Sequence, residues 1–283
     1  MRNGLNMDVY LSPNKPIPSA VPGWPAGTQA TWPATTSTLI SGDRDAVLVD
    51  ALMTSDESRR LAQWIEASGK NLTAVYVTHA HADHFFGLTS VLDAFPNATP
   101  VTLNEIVPLA QAETNEGHMD AWNSAFPGKI PDHPTVPVAL GSTEMAVEGH
   151  SLRLLDVGQS DTIDSSVVHI PDLDAVIAGD VAYNRTHMWL SGSDHPRRME
   201  WIDALDTMEG LAPTTIITGH KDPAAPDDDA TRILDESRQY IRDFDEAVAV
   251  SDSAGEIITI MSGRYPDLSN PYTLWVAAQD QTP

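Results

Sequence analysis

One short segment, His79-Ala-His81-Ala-Asp83-His84, contains four side chains that could bind metal ions. It directly follows an apolar run that is typical of a buried strand. Alternate residues of an extended segment point the same way, so His79 and His81 can contact one cation. A turn after them would bring Asp83 and His84 toward a second position. Imidazole nitrogens and carboxylate oxygens are ligands for zinc, iron or manganese, so the spacing predicts a metal site.

Three other apolar runs also end in residues that could bind metal. Asp50 follows Val49, Asp180 follows Ala178-Gly179, and His220 follows Thr218-Gly219. Strand ends in α/β proteins aim their loop residues at a shared crevice. We therefore expect these three side chains to meet the histidine-rich segment in one site.

The composition excludes several kinds of chemistry. The chain has no cysteine, so disulfides, thiolate metal sites and cysteine nucleophiles are ruled out. The formal net charge is −24, from 40 acidic and 16 basic residues. Because such a surface repels phosphates, we expect no nucleic-acid partner.

The N-terminal 25 residues have no signal-peptide core, and no run of about 18 apolar residues could span a membrane. These features predict a cytoplasmic protein without a membrane partner.

The remaining patterns predict the elements that position the site. Residues 1–35 are rich in Pro, Gly, Ser and Thr and predict an irregular arm, with one short strand near Val9 and Tyr10. Beyond the arm, apolar strand runs alternate with amphipathic helices. Thr54 and Glu57 form a capping-box pattern that predicts the start of a helix. Apolar residues from Ile233 to Val248 recur near every 3.6 positions and predict a long final helix. No linker is evident, so one α/β domain over residues 1–283 is expected.

The pattern His-x-His-x-Asp-His after an apolar strand resembles the signature of the metallo-β-lactamase superfamily. The similarity extends over roughly residues 36–221. It implies an αββα sandwich of two mixed β-sheets flanked by helices, with one or two Zn²⁺ ions, or alternatively Mn²⁺ or Fe²⁺. Asp180 matches the metal-bridging aspartate of the family, His220 its last histidine ligand, and Asp50 an aspartate that orients the ligands. The segments around Asp180 and His220 are more similar to a little-characterised hydrolase branch than to antibiotic-degrading enzymes.

One position departs from the pattern of the family. Where the family has a histidine after a strand, this chain has Gly158-Gln159-Ser160-Asp161. We expect Gln159 to replace that histidine as a ligand, through its neutral amide oxygen. The site formed by His79, His81 and Gln159 should then bind metal more weakly than the second site. That second site consists of Asp83, His84 and His220, bridged by Asp180. Asp161 is expected to cap a turn.

Other residues near the ligands are candidates for the substrate pocket. Tyr183, Asn184, His187 and Lys221 each follow a ligand closely in the chain, so they could line the pocket or bind an oxyanion. Residues 104–132 are longer than a simple connection requires and carry Met119, Trp122 and Phe126. We expect this segment to form a lid or wall over the metal site. Four tryptophans, at positions 24, 32, 122 and 189, are further candidates for the pocket wall.

The function that these expectations favour is metal-dependent hydrolysis of a small-molecule ester, lactone or lactam. A metal ion lowers the pKa of bound water from about 15.7 toward about 7, and Asp83 or Asp180 would orient that water or move its proton. Three alternatives stay open: a hydroxyacylglutathione-type thioesterase, a non-hydrolytic iron-dependent redox protein of the same fold, and a metal-poor binding protein. The oligomeric state is not predicted.

Overall fold

The computed structural model describes residues 4–18 and 21–281. Its first large sheet has six strands in the order β1-β4-β5-β6-β7-β8, with a two-stranded sheet, β2-β3, beside it. The strands of these two sheets are β1 (Asn6–Leu11), β2 (Lys15–Pro16), β3 (Thr31–Trp32), β4 (Thr36–Ser41), β5 (Asp45–Val49), β6 (Asn71–Tyr76), β7 (Thr99–Thr102) and β8 (Val138–Ala139). From β5 to β8 the neighbours are parallel, so β5 and β6 deliver the residues that follow them to the same edge of the sheet.

A second sheet has five strands in the order β13-β12-β11-β10-β9. They are β9 (Glu144–Val147), β10 (His150–Gly158), β11 (Ser165–Ile170), β12 (Ala175–Gly179) and β13 (Thr215–Thr218). Side chains alternate between its faces: Val168 and Ile177 pack in a core shared with the first sheet, whereas Val167 and Val176 pack in a second core. Apolar residues on both faces require layers on both sides, as in the predicted αββα sandwich.

Helices cover the outer faces of the two sheets. They are α1 (Ser55–Ala67), α2 (Ala82–Phe85), α3 (Leu88–Ala94), α4 (Ile106–Glu113), α5 (Glu116–Ala125), α6 (His195–Glu209), α7 (Ala230–Val250), α8 (Ala254–Arg264) and α9 (Pro271–Asp280). Leu61 and Ile65 of α1 pack in the core of the first sheet. Trp201 of α6 and Phe244 of α7 pack in the second core. None of the helices in the described ranges is long and apolar enough to cross a membrane.

The predicted start of α1 is confirmed. The Thr54 side chain accepts a hydrogen bond from the Glu57 N–H, and the Glu57 carboxylate accepts one from the Thr54 N–H. The prediction that the helix ending at Val248 is the last one is wrong, because α8 and α9 follow it. These two helices pack against each other and against α7 through residues such as Ile257 and Leu274.

The N-terminal arm is more ordered than its composition indicates. Strand β1 runs over six residues and pairs antiparallel with β4 at the edge of the first sheet. The ammonium group of Lys15 is buried, lies 3.3 Å from Glu57 Oε2 and donates hydrogen bonds to Ser12 Oγ and the Pro33 carbonyl. These contacts hold the chain around Pro33 against α1, and this part of the arm leads directly into the site.

Candidate metal centre

The predicted ligands from separate strand ends meet at one edge of the sandwich. His79 follows β6, and α2 carries Asp83 and His84. Asp180 follows β12, and His220 follows β13. The parallel pairing of β12 and β13 places their ends side by side. Gly219 is required there, because a Cβ at that position would lie 2.0 Å from Asp180 Oδ1.

The ligand-type atoms form two adjacent groups, and within each group these atoms lie within 4.8 Å of one another. The first group is His79, His81, Asp161 and Asp180, and the second is Asp83, His84 and His220. Asp180 lies between them: its Oδ1 is 3.3 Å from His84 Nε2 and its Oδ2 is 3.1 Å from His220 Nε2. Two cations could therefore share this carboxylate.

The assignment of Gln159 as a ligand stays a prediction, and the structure adds Asp161 to the candidates. The Gln159 side-chain amide donates a hydrogen bond to the Ser160 carbonyl, whereas Asp161, which was expected to cap a turn, joins the first group. Asp161 Oδ2 lies 2.7 Å from His81 Nδ1 and 3.6 Å from His79 Nε2. The pairing of β10 with β11 shifts register between Asp156 and Gly158, directly before the loop that carries both residues. With Asp161 as a candidate ligand, the first site also has a charged carboxylate, so a weak first site does not follow from Gln159 alone.

The residues present fit divalent metal ions. Four buried ligand-type atoms make no hydrogen bond of regular geometry: His79 Nε2, His84 Nε2, Asp161 Oδ2 and Asp180 Oδ1. The contacts of Asp161 Oδ2 with His81 Nδ1 and of Asp180 Oδ1 with His84 Nε2 are close ion-pair contacts instead. Buried polar atoms ordinarily have partners, so atoms without one that converge on a small region indicate a place for a cation. Histidine and carboxylate donors without cysteine suit zinc, manganese or iron.

Neighbouring groups hold the ring nitrogens that face away from the centre. Asp50 Oδ2 lies 2.9 Å from His84 Nδ1, and Thr78 Oγ1 lies 3.0 Å from His79 Nδ1. The carbonyl of Ala34 lies 2.8 Å from His220 Nδ1. Asp50 also accepts hydrogen bonds from the backbone N–H and hydroxyl of Thr78. Such partners fix the tautomer and orientation of a metal-binding imidazole.

The buried charges of the site shift one another's pKa strongly. Burial, together with the neighbouring His84, lowers the pKa of His79 to about 4. Against the opposing effect of burial, Asp161 raises the pKa of His81 to about 9, and Asp180 raises that of His220 to about 10. His220 and His84 hold the pKa of Asp180 well below its usual range although burial opposes this. The carboxylates thus retain the negative charge that a metal ion needs.

A cavity of about 390 Å³ opens onto this centre. Its metal-facing end is lined by His81, Asp83, Asp180 and His220. The rest of the wall consists mainly of aromatic and small side chains, with one acidic and one imidazole group: Trp32, Pro33, Glu113, His118, Ala121, Trp122, Ala125, Tyr183, Trp189 and Thr273. Part of this wall comes from α4 and α5, so the segment 104–132 lies beside the metal centre, where the lid hypothesis places it. Of the four tryptophans considered, Trp24 instead packs against Tyr272 and Trp275.

The predicted pocket residues divide into two sets. Tyr183 lines the cavity and donates a hydrogen bond of 2.8 Å to Asp180 Oδ2. Asn184 and Lys221 do not line it: both contact Asp227, and the Asn184 backbone N–H donates to the His220 carbonyl, so they hold the loop that carries His220. His187 is also outside the cavity, because its ring lies against Tyr240 of α7, with Nδ1 2.9 Å from the tyrosine hydroxyl.

Several contacts and residues of the site had no signal in the local sequence, although Trp32 itself was a candidate for the pocket wall. Trp32 Nε1 donates a hydrogen bond of 2.7 Å to Asp83 Oδ2, and Thr35 Oγ1 lies 3.4 Å from the same oxygen. Both belong to the arm that the composition predicted to be irregular. Glu113 and His118, on the cavity wall, lie in a helical stretch where charged residues are ordinarily solvated. For Asp161, the only available signal was its acidic side chain two positions after the expected ligand.

The sequence profile of the Metallo-beta-lactamase superfamily matches residues 30–220. The chain belongs to the metallo-beta-lactamase superfamily. Among solved structures, a metallo-beta-lactamase from Pontibacter korlensis superposes with a TM-score of 0.61 at 16% identity, over 84% of this chain and 99% of that one. A metallo-beta-lactamase family protein from Thermus thermophilus superposes with a TM-score of 0.63 at 16% identity, over 96% of this chain and 91% of that one.

A third metallo-beta-lactamase, from Pseudomonas aeruginosa and described in its mono-zinc form, gives a TM-score of 0.55 at 15% identity, over 84% of this chain and 91% of that one. No curated protein matches the chain. At these identities the superpositions show a shared fold only. The metallo-beta-lactamase fold and a candidate metal-binding site are therefore established here, and the substrate has to be argued from the residues of the cavity.

Proposed function

We propose that this member of the superfamily is a metal-dependent hydrolase of a small ester, lactone or lactam, with zinc as its metal. The observation that carries the proposal is the convergence of buried, unpartnered ligand atoms at one end of an aromatic cavity. When bound, divalent ions would polarise a carbonyl and lower the pKa of water to about 7. The cavity volume of about 390 Å³ suits a small molecule.

The residues of the chain have separate tasks in this proposal. Burial and the adjacent Asp180 raise the pKa of Tyr183 well above its ordinary value, so its hydroxyl remains protonated and can keep donating its hydrogen bond to Asp180 Oδ2, which orients that carboxylate. Asp83 and Asp180 line the same end of the cavity and can orient water or accept its proton. The tryptophans exclude bulk water from the reacting end, which strengthens these electrostatic effects.

The charge of the cavity disfavours the thioesterase alternative. No Lys or Arg occurs among the lining residues in the described part of the chain, whereas Glu113 does. Glutathione conjugates carry carboxylates that need cationic partners, and an acidic wall would repel them. A neutral or cationic substrate suits this cavity better.

Metal removal tests the proposal. Chelation should abolish hydrolysis of a panel of chromogenic esters, lactones and lactams, and zinc, manganese or cobalt should restore it. His84→Ala should lose activity together with bound metal, whereas His133→Ala, at an exposed position, should retain both. Metal content is measured in parallel. Full activity in the metal-free protein would refute the proposal, and one bound iron with redox activity would favour the iron-protein alternative.

A further inference from the structure

Three tryptophans form another part of the cavity wall, here called the aromatic end, and one of them, Trp32, also reaches the metal end through its hydrogen bond to Asp83. The ring centroid of Trp32 lies 5.2 Å from that of Trp122 and 5.1 Å from that of Trp189. All three side chains are partly exposed and line the cavity. They come from the arm, from α5 and from the loop after β12, so only the folded chain brings them together. Indole is the aromatic group that binds cations most strongly.

Glu113 places a carboxylate beside one of these rings, that of Trp122. Its Oε1 accepts a 2.6 Å hydrogen bond from Trp122 Nε1, and its Oε2 lies 3.0 Å from His118 Nδ1. The side chain is only 15% exposed. Glu113 is the last residue of α4, where the helix dipole disfavours a negative charge. Stabilisation of α4 therefore does not account for a carboxylate at this position.

The two ends of the cavity differ in charge once metal is bound. At the metal end, Asp83, Asp161 and Asp180 largely offset the charge of two divalent cations. At the aromatic end, no Lys or Arg occurs among the described lining residues, and the basic group that contacts Glu113 is the half-exposed imidazole of His118. The whole chain carries a formal net charge of −24, which attracts cations toward the cavity.

We propose that the tryptophans and Glu113 form a recognition site for a cationic group, so that the substrate is a small ester or lactone bearing an ammonium group. This inference rests on the proposed hydrolase function and specifies its substrate class. The scissile carbonyl lies at the metal end, and the ammonium group lies against the indole rings near Glu113. Cation–π contacts together with a partly desolvated carboxylate discriminate between a cation and a neutral group of the same shape.

A pair of isosteric esters tests the inference on the zinc-loaded protein. Trimethylammonioethyl acetate and 3,3-dimethylbutyl acetate have nearly the same shape and differ in charge. We expect kcat/KM to be about tenfold higher for the cationic ester. Glu113→Gln, which keeps an acceptor for Trp122, should remove most of this preference. Asp120→Asn removes the same charge from an exposed position of α5 and should leave the preference intact. Equal or lower kcat/KM for the cationic ester would overturn the inference while leaving the hydrolase proposal in place.

A binding measurement separates the inference from the hydrolase proposal. Tetramethylammonium should change the tryptophan fluorescence of the zinc-loaded protein saturably, whereas neutral 3,3-dimethylbutanol should do so more weakly. Glu113→Gln and Trp122→Leu should each weaken the response to the cation several-fold, with folding verified by circular dichroism. If neither ester is hydrolysed but this response is found, the substrate assignment fails and the cation site stands. No saturable response to tetramethylammonium would overturn the inference whatever the activity.

Discussion

Three buried imidazoles present the same ring nitrogen to the metal centre because another group holds the opposite one. Thr78, Asp50 and the Ala34 carbonyl lie within 3.0 Å of the Nδ1 atoms of His79, His84 and His220, respectively. Each Nε2 is therefore directed toward the carboxylates of the site. A site held in this way needs little rearrangement to bind a cation, which favours affinity.

The clearest prediction for single residues concerns the third ligand of the first group. Asp161→Ala should weaken binding of one metal equivalent by about 10- to 100-fold or more, because it removes a charged ligand. Gln159→Ala, two positions away, should leave metal content unchanged, since the Gln159 amide is bonded to the Ser160 carbonyl. Metal content after dialysis and zinc titration calorimetry measure this. Loss of metal from the Gln159 variant and retention by the Asp161 variant would show that Gln159, as the sequence predicted, is the ligand rather than Asp161.

Among the elements, the hairpin between β9 and β10 links the two sheets. Its turn residues Glu148 and Gly149 both have positive φ, which is typical of a type I′ turn. The Glu148 carboxylate accepts hydrogen bonds from the backbone N–H groups of Asp43, Arg44 and Asp45, in the turn between β4 and β5. A side chain at Gly42 would collide with this carboxylate at 2.7 Å. One acidic residue therefore fastens the edge of the second sheet to the first.

The stability of this link should depend on pH. Hydrogen bonds from the N–H groups of Asp45, Arg44 and Asp43 lower the pKa of Glu148 from 4.5. A lowered pKa in the folded state contributes stability above pH 4.5, and this contribution is lost as the pH falls through the folded-state value. Glu148→Gln should therefore reduce the free energy of unfolding at pH 7, and the difference from wild type should shrink below pH 4.5. Urea denaturation at several pH values measures this, with exposed Glu66→Gln as control. A difference that is independent of pH would contradict the electrostatic explanation.

At the scale of the whole molecule, metal binding and stability should be coupled. Asp83 and Asp180 are buried in a chain that already carries a net charge of −24. Buried carboxylates lower the stability of the folded state unless cations compensate their charge. Here they lie at one edge of the sandwich, next to ligand atoms that make no regular hydrogen bond. The folded chain holds together candidate ligands that the unfolded chain does not, so a metal ion that binds there should stabilise the fold.

This coupling predicts a metal-dependent Tm. Free zinc at about 100 times its Kd should add about 2.7 kcal/mol, which corresponds to a rise in Tm of about 5 to 10 °C. Differential scanning calorimetry of the chelated and the zinc-loaded protein measures the shift. Asp180→Asn should reduce it, because Asp180 lies between the two groups of ligands. Equal Tm values for the two forms would show that the site is not coupled to folding.

Local sequence patterns were sufficient to predict many of the helices and strands and most of the candidate metal ligands. The motif from His79 to His84 indicated metal chemistry, because ligand identity and spacing are properties of the chain itself. The capping box at Thr54 and the apolar strand runs were visible for the same reason. The αββα fold followed from the resemblance of the motif to a known family, and the profile match and the superpositions bear it out.

The tertiary structure alone brought Asp161 into the first group of ligand-type atoms, because the path of the loop after β10 depends on strand pairing. It also decided the contacts made by residues distant in sequence. Trp32 reaches Asp83 across 51 positions, and His220 reaches the Ala34 carbonyl across 186. No local periodicity encodes such pairs, since they depend on how the arm packs over the sheet edge. The same packing brought Trp32 against Trp122 and Trp189, and so assembled the aromatic wall on which the proposed cation site depends.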